Sequence, residues 1–315
     1  MSAEDHAESP RGLEVWLDGR FVPLEQANVS VFDAGFQHAV GLFETMRAQN
    51  GRVFRLRAHL ARLDESARIL RLSESLQTSP LATAVQETLD RNQLEDARVR
   101  LTLTGGALNR RLDDAGRSDP TILIHAQPRT TYPDALYTQG IRVVVANDRL
   151  SPFDSHSGHK TLAYWPRLAA LQAAGAHGAS EALWFTVSNH LASGSTSNVF
   201  LVREGTILMP PARGEESDGA LPAPVLPGIT RAALVEVARE HGIALEHRLV
   251  DIEDVLGADE LLLSNSGWGV LPVVGVEKES IGAGVPGPVF AALRSGLDAL
   301  LERETAFDLE PDPTS

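Results

Sequence analysis

Apolar and polar residues alternate in the first third of the chain, and this pattern predicts short strands joined by tight turns. LEVWLDGRFVPLE turns at Asp18-Gly19 and LFETMRAQNGRVFRL turns at Asn50-Gly51. Both dipeptides are turn formers that stand between apolar runs, as in a hairpin. RVRLTLT and PTILIHA alternate or stay apolar over the length of a strand. We therefore predict several strands between residues 11 and 127.

Helical spacing follows the second hairpin. In RAHLARLDESARILRL an apolar residue recurs every three or four positions, which is the spacing of one face of an amphipathic helix. This pattern predicts a helix over residues 57–71, and a second helix is predicted over 80–92. Residues 11–127 should therefore form one α/β unit, with strands packed against a few helices.

The second half of the chain alternates strands and helices more regularly. The polar segment QPRTTYPDALYTQG contains two prolines and predicts a linker over residues 128–140. A second α/β unit is predicted over 141–303, and the acidic ends, 1–10 and 304–315, are predicted to be disordered tails. The predicted strands of the second unit are IRVVVAN, EALWFT, SNVFLV, TILM, ALEHRLV, ELLLS and VLPVVGVE, and its predicted helices begin near Trp165, Ile229 and residue 288.

The composition is typical of a globular protein that uses no thiol chemistry. The 315 residues are 43% hydrophobic and 22% charged, include no cysteine and carry a formal net charge of −14. No apolar run approaches the length of a membrane span, and no basic stripe suits nucleic acid. The N-terminal MSAEDHAESPRG lacks the basic cluster and apolar stretch of a secretory signal. We therefore expect a cytoplasmic protein that binds neither nucleic acid nor membrane.

Lysine is almost absent, and this makes Lys160 conspicuous. Only Lys160 and Lys278 are lysines among the 28 basic residues. Arginine cannot replace a lysine whose amine must lose its proton and attack a carbonyl, because the guanidinium stays protonated in proteins. Lys160 therefore suits covalent attachment to an aldehyde cofactor. A bias toward arginine codons is the alternative explanation, since it would leave two lysines by chance.

LPGITRAALVEVARE contains a candidate phosphate site. Gly228, Ile229 and Thr230 begin a predicted helix, where free backbone amides and a hydroxyl can bind an anion. An ordinary helix start with Thr230 near the cap is the alternative. Arg62 is a second candidate phosphate partner, and a solvent-facing position on its helix is the alternative for that residue.

Several segments taken together resemble the class IV aminotransferases, which are the fold-type IV pyridoxal-phosphate enzymes. The resemblance runs from about residue 13 to residue 275, and its segments stand in the family's order: LDGRFVPLEQANVSVFDAGF, GLFETMR, HLARL, HKTLAYWPRLAAL, GSTSNVFLV, LPGITR and LSNSGWGVLPV. The group includes branched-chain aminotransferases, D-amino-acid aminotransferases and 4-amino-4-deoxychorismate lyases. The resemblance implies a mixed α/β fold of two domains, pyridoxal 5'-phosphate in the cleft between them, and a homodimer.

The resemblance also implies roles for individual residues. Lys160 matches the lysine that binds the cofactor aldehyde and moves a proton between substrate and cofactor. Arg62 matches the arginine on the cofactor phosphate, while Ile229 and Thr230, after Gly228, match the helix-start residues that donate to the same phosphate. The other cofactor positions are Ser266 and Gly267, in the loop over the phosphate, and Asn198, for which a hydrogen bond at a strand end is the alternative role.

Some positions depart from the family pattern. The family's glutamate that keeps the pyridine nitrogen protonated is replaced by Ser193, whose neutral hydroxyl cannot hold a cation as a carboxylate does. Many members read Thr-Arg-Gly where this chain reads Thr104-Gly105-Gly106, and in D-amino-acid aminotransferases that arginine helps to hold the substrate carboxylate. The asparagine that is common shortly after the lysine is Ala163. These departures remove a D-amino-acid signature and weaken the electron sink that amino transfer needs.

The polar and aromatic residues near these segments are the candidates for substrate contact. They are Phe36, His38, Tyr164 and Arg110. Arg110 would supply a displaced carboxylate clamp, and a solvated loop position is its alternative. No spacing of His, Asp and Glu predicts a metal site.

The predicted function is transfer of an amino group between a small, apolar amino acid and a 2-oxo acid. The first alternative is a lyase that releases pyruvate from an aminocyclohexadiene such as 4-amino-4-deoxychorismate. LSNSGWGVLPV resembles the phosphate loop of those lyases, and Ser193 fits them because elimination driven by aromatisation needs less of an electron sink. The second alternative is a relative that keeps the fold but has lost catalysis and serves as a binding protein.

Overall fold

The computed structural model describes residues 12–107 and 120–306, and the chain divides into two compact units, Met1–Pro128 and Arg129–Ser315. Both units combine a β-sheet with helices, which confirms the predicted mixed α/β class. Within the described residues, no helix combines the length and the apolar character needed to cross a membrane.

The first unit is an antiparallel sheet with helices against one face. Its strands follow the order β2-β1-β6-β5-β3-β4. The strands are β1 (Glu14–Leu17), β2 (Arg20–Pro23), β3 (Gly41–Gln49), β4 (Arg52–Val53), β5 (Ala97–Thr104) and β6 (Ile122–Pro128), and the helices are α1 (Ala34–His38), α2 (Leu56–Ile69) and α3 (Thr78–Arg91). The predicted turn at Asn50-Gly51 has φ of 52° and 70°, and two positive φ values are what a type I′ hairpin requires.

The core of the first unit lies between the sheet and helices α2 and α3. Alternate residues of β5, Val99, Leu101 and Leu103, are buried there together with Leu60 and Leu63 of α2. The period of two along the strand and of three to four along the helix therefore direct apolar side chains into the same layer.

The second unit is built on a mixed sheet in the order β12-β11-β10-β13-β14-β7-β8-β9, with β15 paired to β14. Its strands are β7 (Ile141–Leu150), β8 (Glu181–Thr186), β9 (Leu191–Gly194), β10 (Asn198–Arg203), β11 (Thr206–Met209), β12 (Leu245–His247), β13 (Glu260–Asn265), β14 (Gly269–Val276) and β15 (Glu279–Ser280). Its helices are α4 (Ala135–Thr138), α5 (Trp165–Ala176), α6 (Ile229–Glu240), α7 (Ile252–Leu256) and α8 (Pro288–Thr305). β8 is buried on both faces, as its continuous apolar run predicts.

The structure differs from the sequence expectation in two connections. The segment expected as a linker, 128–140, contains α4, and Leu136 and Tyr137 of that helix pack against the core of the second unit. The strand expected over ALEHRLV extends only over β12. The chain leaves the sheet there because Arg248 pairs with Asp254 and Asp251 forms a capping box at the start of α7.

Candidate active site

Lys160 lies in the second unit, between a series of turns and helix α5. The turn before it depends on Gly158, whose φ is +80° and where a Cβ would lie 2.9 Å from the carbonyl oxygen of Ala223. Arg213 donates to the carbonyl oxygen of Ser157 at 3.1 Å. The lysine is half-buried, and its Nζ lies 5.8 Å from the centroid of the Tyr164 ring. The segment 210–225 thus holds the turn that presents the amine.

His159, next to the lysine, is neutral at physiological pH. Burial lowers its pKa to about 4, and the charges of Arg213 and His156 act in the same direction. His156 itself is exposed and contacts Asp154. The residue beside the amine therefore adds no positive charge to the site.

A buried loop, Ser193–Ser197, faces the residues that follow Lys160. The hydroxyl of Tyr164 donates to the carbonyl oxygen of Ser195 at 3.2 Å, and Trp184 Nε1 donates to the Ser195 hydroxyl at 2.9 Å. Beneath this loop, the carboxylate of the fully buried Glu181 accepts five hydrogen bonds. They come from the amides of Ala182, Ser195 and Thr196 and from the hydroxyls of Thr196 and Ser197.

Arg167 of α5 reaches the other side of the same loop. One guanidinium nitrogen, Nη1, lies 3.3 Å from the hydroxyl of Ser193, 2.9 Å from the carbonyl oxygen of Gly194 and 3.2 Å from that of Ser195. The guanidinium stands 5.2 Å from the centroid of the Trp184 ring. Ser193, the position of the family's glutamate, is therefore hydrogen-bonded to a cation.

The start of α6 is held by Asn198. Its amide donates to the carbonyl oxygen of Leu226 at 2.8 Å, and a Cβ on Gly228 would collide with its Oδ1. Gly228 is the N-cap of α6 and makes no side-chain capping bond, while Thr230 is buried in the first turn. Asn198 therefore acts at a strand end, and the helix start keeps its backbone amides for another acceptor.

The turn that contains Ser266 and Gly267 is fastened to the loop Ser193–Ser197. Asn265 Oδ1 accepts from the amides of Gly267 and Trp268 at 2.8 and 3.1 Å, and its Nδ2 donates to the carbonyl oxygen of Thr196 at 3.3 Å. Hydrogen bonds thus connect this turn through the loop to Tyr164.

Arg62 lies in the first unit, on α2, where it pairs with a buried carboxylate. Its Nε lies 2.9 Å from Glu44 Oε1 and its Nη2 lies 2.6 Å from Oε2, while His59 Nδ1 lies 2.7 Å from Oε2. Burial raises the pKa of Glu44, but Arg62 and His59 together lower it more, so the pKa is about 2. The carboxylate is ionised at all physiological pH values and fixes the guanidinium.

The other candidates in the first unit have different surroundings. Phe36 and His38 lie on α1, with Phe36 74% exposed. Arg110 lies outside the described residues. A Cβ at Gly105 would lie 3.0 Å from Val40 Cγ1 and 3.2 Å from the Cβ of Ala34, so a larger side chain there would require these neighbours to move. No group of three His, Asp or Glu side chains within 12–107 and 120–306 could hold a metal ion.

Sequence reasoning missed Glu44, Glu181 and Arg167. Glu44 carries a detectable signal, because it stands in phase with the core residues Leu42 and Met46 on β3, and a charged residue at a core position is paired when it is buried. Glu181 and Arg167 carry no such signal, since most of the residues they contact lie elsewhere in the chain.

Comparison with known proteins relates this site to a family. The family model of amino-transferase class IV matches residues 41–276. A Methanocaldococcus jannaschii protein named as a putative branched-chain-amino-acid aminotransferase is 32% identical over 266 residues, which cover 84% of this chain and 88% of that protein. The branched-chain amino acid aminotransferase of T.th., solved with pyridoxamine 5'-phosphate, has a TM-score of 0.83 at 26% identity and covers 93% of this chain and 94% of its own. The 4-amino-4-deoxychorismate lyase of Pseudomonas aeruginosa has a TM-score of 0.77 at 29% identity, with 90% of this chain and 98% of its own covered.

Proposed function

The chain belongs to the class IV aminotransferase family, and we propose that it uses pyridoxal 5'-phosphate to move an amino group between a small amino acid and a 2-oxo acid. Lys160 is the residue proposed to bind the cofactor. The observation that carries this assignment is the position of Lys160, with its Nζ 5.8 Å from the Tyr164 ring and with Tyr164 bonded to the buried loop.

The donors in the second unit fit a phosphate ester. The start of α6 has no side-chain cap among the described residues, and Thr230 adds a hydroxyl in its first turn. The buried hydroxyl of Ser264 has no hydrogen-bond partner in the same described part of the chain, and Ser264 lies directly opposite Asn198 across the sheet. We infer that Thr230 and the amides of Ile229 and Gly267 hold the phosphate, because helix-start amides and hydroxyls are natural anion ligands.

Pyridoxal phosphate supplies an aldehyde for an amine and a conjugated ring that withdraws electrons from the substrate. Lys160 holds and transfers a proton at Nζ, which an arginine could not do because its guanidinium stays protonated. Tyr164 flanks the amine and keeps water from one side of it. Arg62 contributes a cation for the phosphate, and Glu44 positions that cation through two hydrogen bonds.

The two lysines of the chain give a matched test of this assignment. Borohydride reduction of the protein with pyridoxal phosphate, followed by peptide mass mapping, should place the label on Lys160. Lys160→Ala should lose the label and the visible absorbance of the bound cofactor, whereas Lys278→Ala, at an exposed turn residue, should keep both. A label that persists in Lys160→Ala, or a protein that never binds the cofactor, would contradict the proposal.

A lyase that releases pyruvate is the second candidate, and Ser193 with its Arg167 partner favours it. A ring without a carboxylate at its nitrogen withdraws electrons less strongly, and elimination driven by aromatisation needs less of that pull. Incubation with an amino acid should convert the cofactor spectrum to the amino form if the chain is an aminotransferase. Release of pyruvate from 4-amino-4-deoxychorismate, without that conversion, would identify the lyase.

The resemblance also predicts a homodimer. Light scattering coupled to size exclusion should give twice the chain mass of 33.9 kDa, and a monomer at micromolar concentration would contradict this.

A further inference from the structure

Arg167 is a charged side chain that hydrogen-bonds directly to Ser193. Its Nη1 donates to the Ser193 hydroxyl and to the carbonyl oxygens of Gly194 and Ser195. The ring of Trp184 lies beside the guanidinium. Two carbonyls and an aromatic face hold the guanidinium in one place without neutralising it, because none of these groups carries a negative charge.

Glu181 does not supply the negative charge that position 193 lacks. Its carboxylate is buried and accepts five hydrogen bonds, which come from Ala182 and from residues 195–197. Release of the carboxylate toward Ser193 would leave two amides of the loop unsatisfied in a buried place, at a large cost. The fixed charge bonded to Ser193 is therefore positive.

We propose that Arg167, acting through Ser193, keeps the ring nitrogen of the bound cofactor unprotonated. The inference rests on the proposed function, because it takes Ser193 as the residue beside that nitrogen. A guanidinium keeps its charge at every physiological pH, and a positive charge disfavours a second one nearby. Arg167 is a positioning residue that reverses the sign of the electrostatic environment which the family's glutamate provides, and it biases the site toward reactions that need little electron withdrawal.

The protonation of the ring nitrogen can be measured directly in the holoenzyme. Pyridoxal phosphate labelled with ¹⁵N in the ring, bound to the wild-type protein, should give the ¹⁵N chemical shift of a neutral pyridine from pH 6 to 8. Ser193→Glu should move the signal toward the protonated position, because a carboxylate stabilises the ring cation. Arg167→Gln should raise the midpoint of the ¹⁵N titration, by about tenfold in proton affinity or more.

Matched variants separate charge from packing. Arg167→Lys keeps the charge and should keep a neutral ring, while Arg239→Gln, at an exposed position of α6, should leave the titration unchanged. If Arg167→Gln fails to fold, the wild-type spectrum and Ser193→Glu still decide the question. A protonated nitrogen in the wild type, or identical titrations of wild type and Arg167→Gln, would overturn the inference while leaving Lys160 assigned. Absence of any bound cofactor would overturn the proposed function and this inference together.

Discussion

Two glutamates, one in each unit, are fully buried and solve the same electrostatic problem in opposite ways. Glu44 of the first unit is 1% exposed and Glu181 of the second is 0% exposed. Glu44 is bonded to the ionisable side chains of His59 and Arg62. Among the described residues, Glu181 has no cation partner and accepts from amides and hydroxyls. A buried carboxylate can thus be stabilised by opposite charge or by oriented neutral dipoles.

The difference matters when the carboxylate is replaced by an amide of the same shape. The guanidinium of Arg62 can only donate, so an amide nitrogen in place of a carboxylate oxygen would face it with a second donor. The hydroxyls of Thr196 and Ser197 can rotate and accept instead. The charged cluster should therefore be intolerant of the change, and the neutral cluster should absorb part of it.

The largest effect is expected for Glu44→Gln. The change leaves a cation buried without its counter-ion, which costs about 3–5 kcal/mol in unfolding free energy. Urea denaturation of the wild type and the variant measures the loss. Glu87→Gln, at an exposed position of α3, is the matched control and should be within about 0.5 kcal/mol of the wild type. A loss below about 1 kcal/mol in Glu44→Gln, far under the cost of an unpaired buried charge, would show that Arg62 finds another partner.

The pH dependence of stability should come next in size. The folded pKa of Glu44 is about 2, below its ordinary value of 4.5, so its contribution is fully present above about pH 5 and is lost as pH falls toward 2. The shift corresponds to about 3 kcal/mol. Unfolding free energies measured from pH 6 to pH 3 should fall more steeply in the wild type than in Glu44→Gln. Parallel curves would contradict the assignment.

A smaller effect is expected for Glu181→Gln. One oxygen still accepts from Ala182 and Ser195, and the hydroxyls can reverse, so the loss should be about 1–3 kcal/mol and come mainly from the Thr196 amide. Thermal or urea unfolding measures it, with the exposed Glu246→Gln as control. A loss larger than that of Glu44→Gln would reverse the comparison.

The smallest effect is expected for Thr196→Val. It removes the hydroxyl that lies 2.9 Å from Glu181 Oε2, and such a hydrogen bond is worth about 1 kcal/mol. In a Glu181→Gln background the same change should cost a different amount, because the two residues share a hydrogen bond. A double-mutant cycle of unfolding free energies measures this coupling, and strict additivity would show that the bond contributes nothing.

Much of the fold could be predicted from local sequence patterns. The predicted helix over 57–71 is α2, and the predicted strand RVRLTLT lies within β5. Short helices were missed where a few polar residues decide the conformation, as at the capping box of Asp251. The strand over ALEHRLV was predicted too long, because its apolar alternation continues beyond the three residues that β11 pairs.

The candidate site could be predicted in its chemistry and only partly in its contacts. The scarcity of lysine and the segments around Lys160 predict a covalent cofactor site, and the comparisons support that cofactor for the family. Asn198 was left between two roles, and its hydrogen bond to Leu226 shows a structural one. The individual cofactor contacts stay predictions until a bound structure or labelling tests them.

The sequence by itself determined the class of most long elements, the family and the candidate for the reactive amine, because periodicity, turn dipeptides and residue chemistry are properties of short segments. Only the tertiary structure decided which partners stabilise the buried charges. Glu44 meets Arg62 across 18 positions, and Arg167 meets Ser193 across 26. Such pairings depend on how separate elements pack, and no local pattern records them.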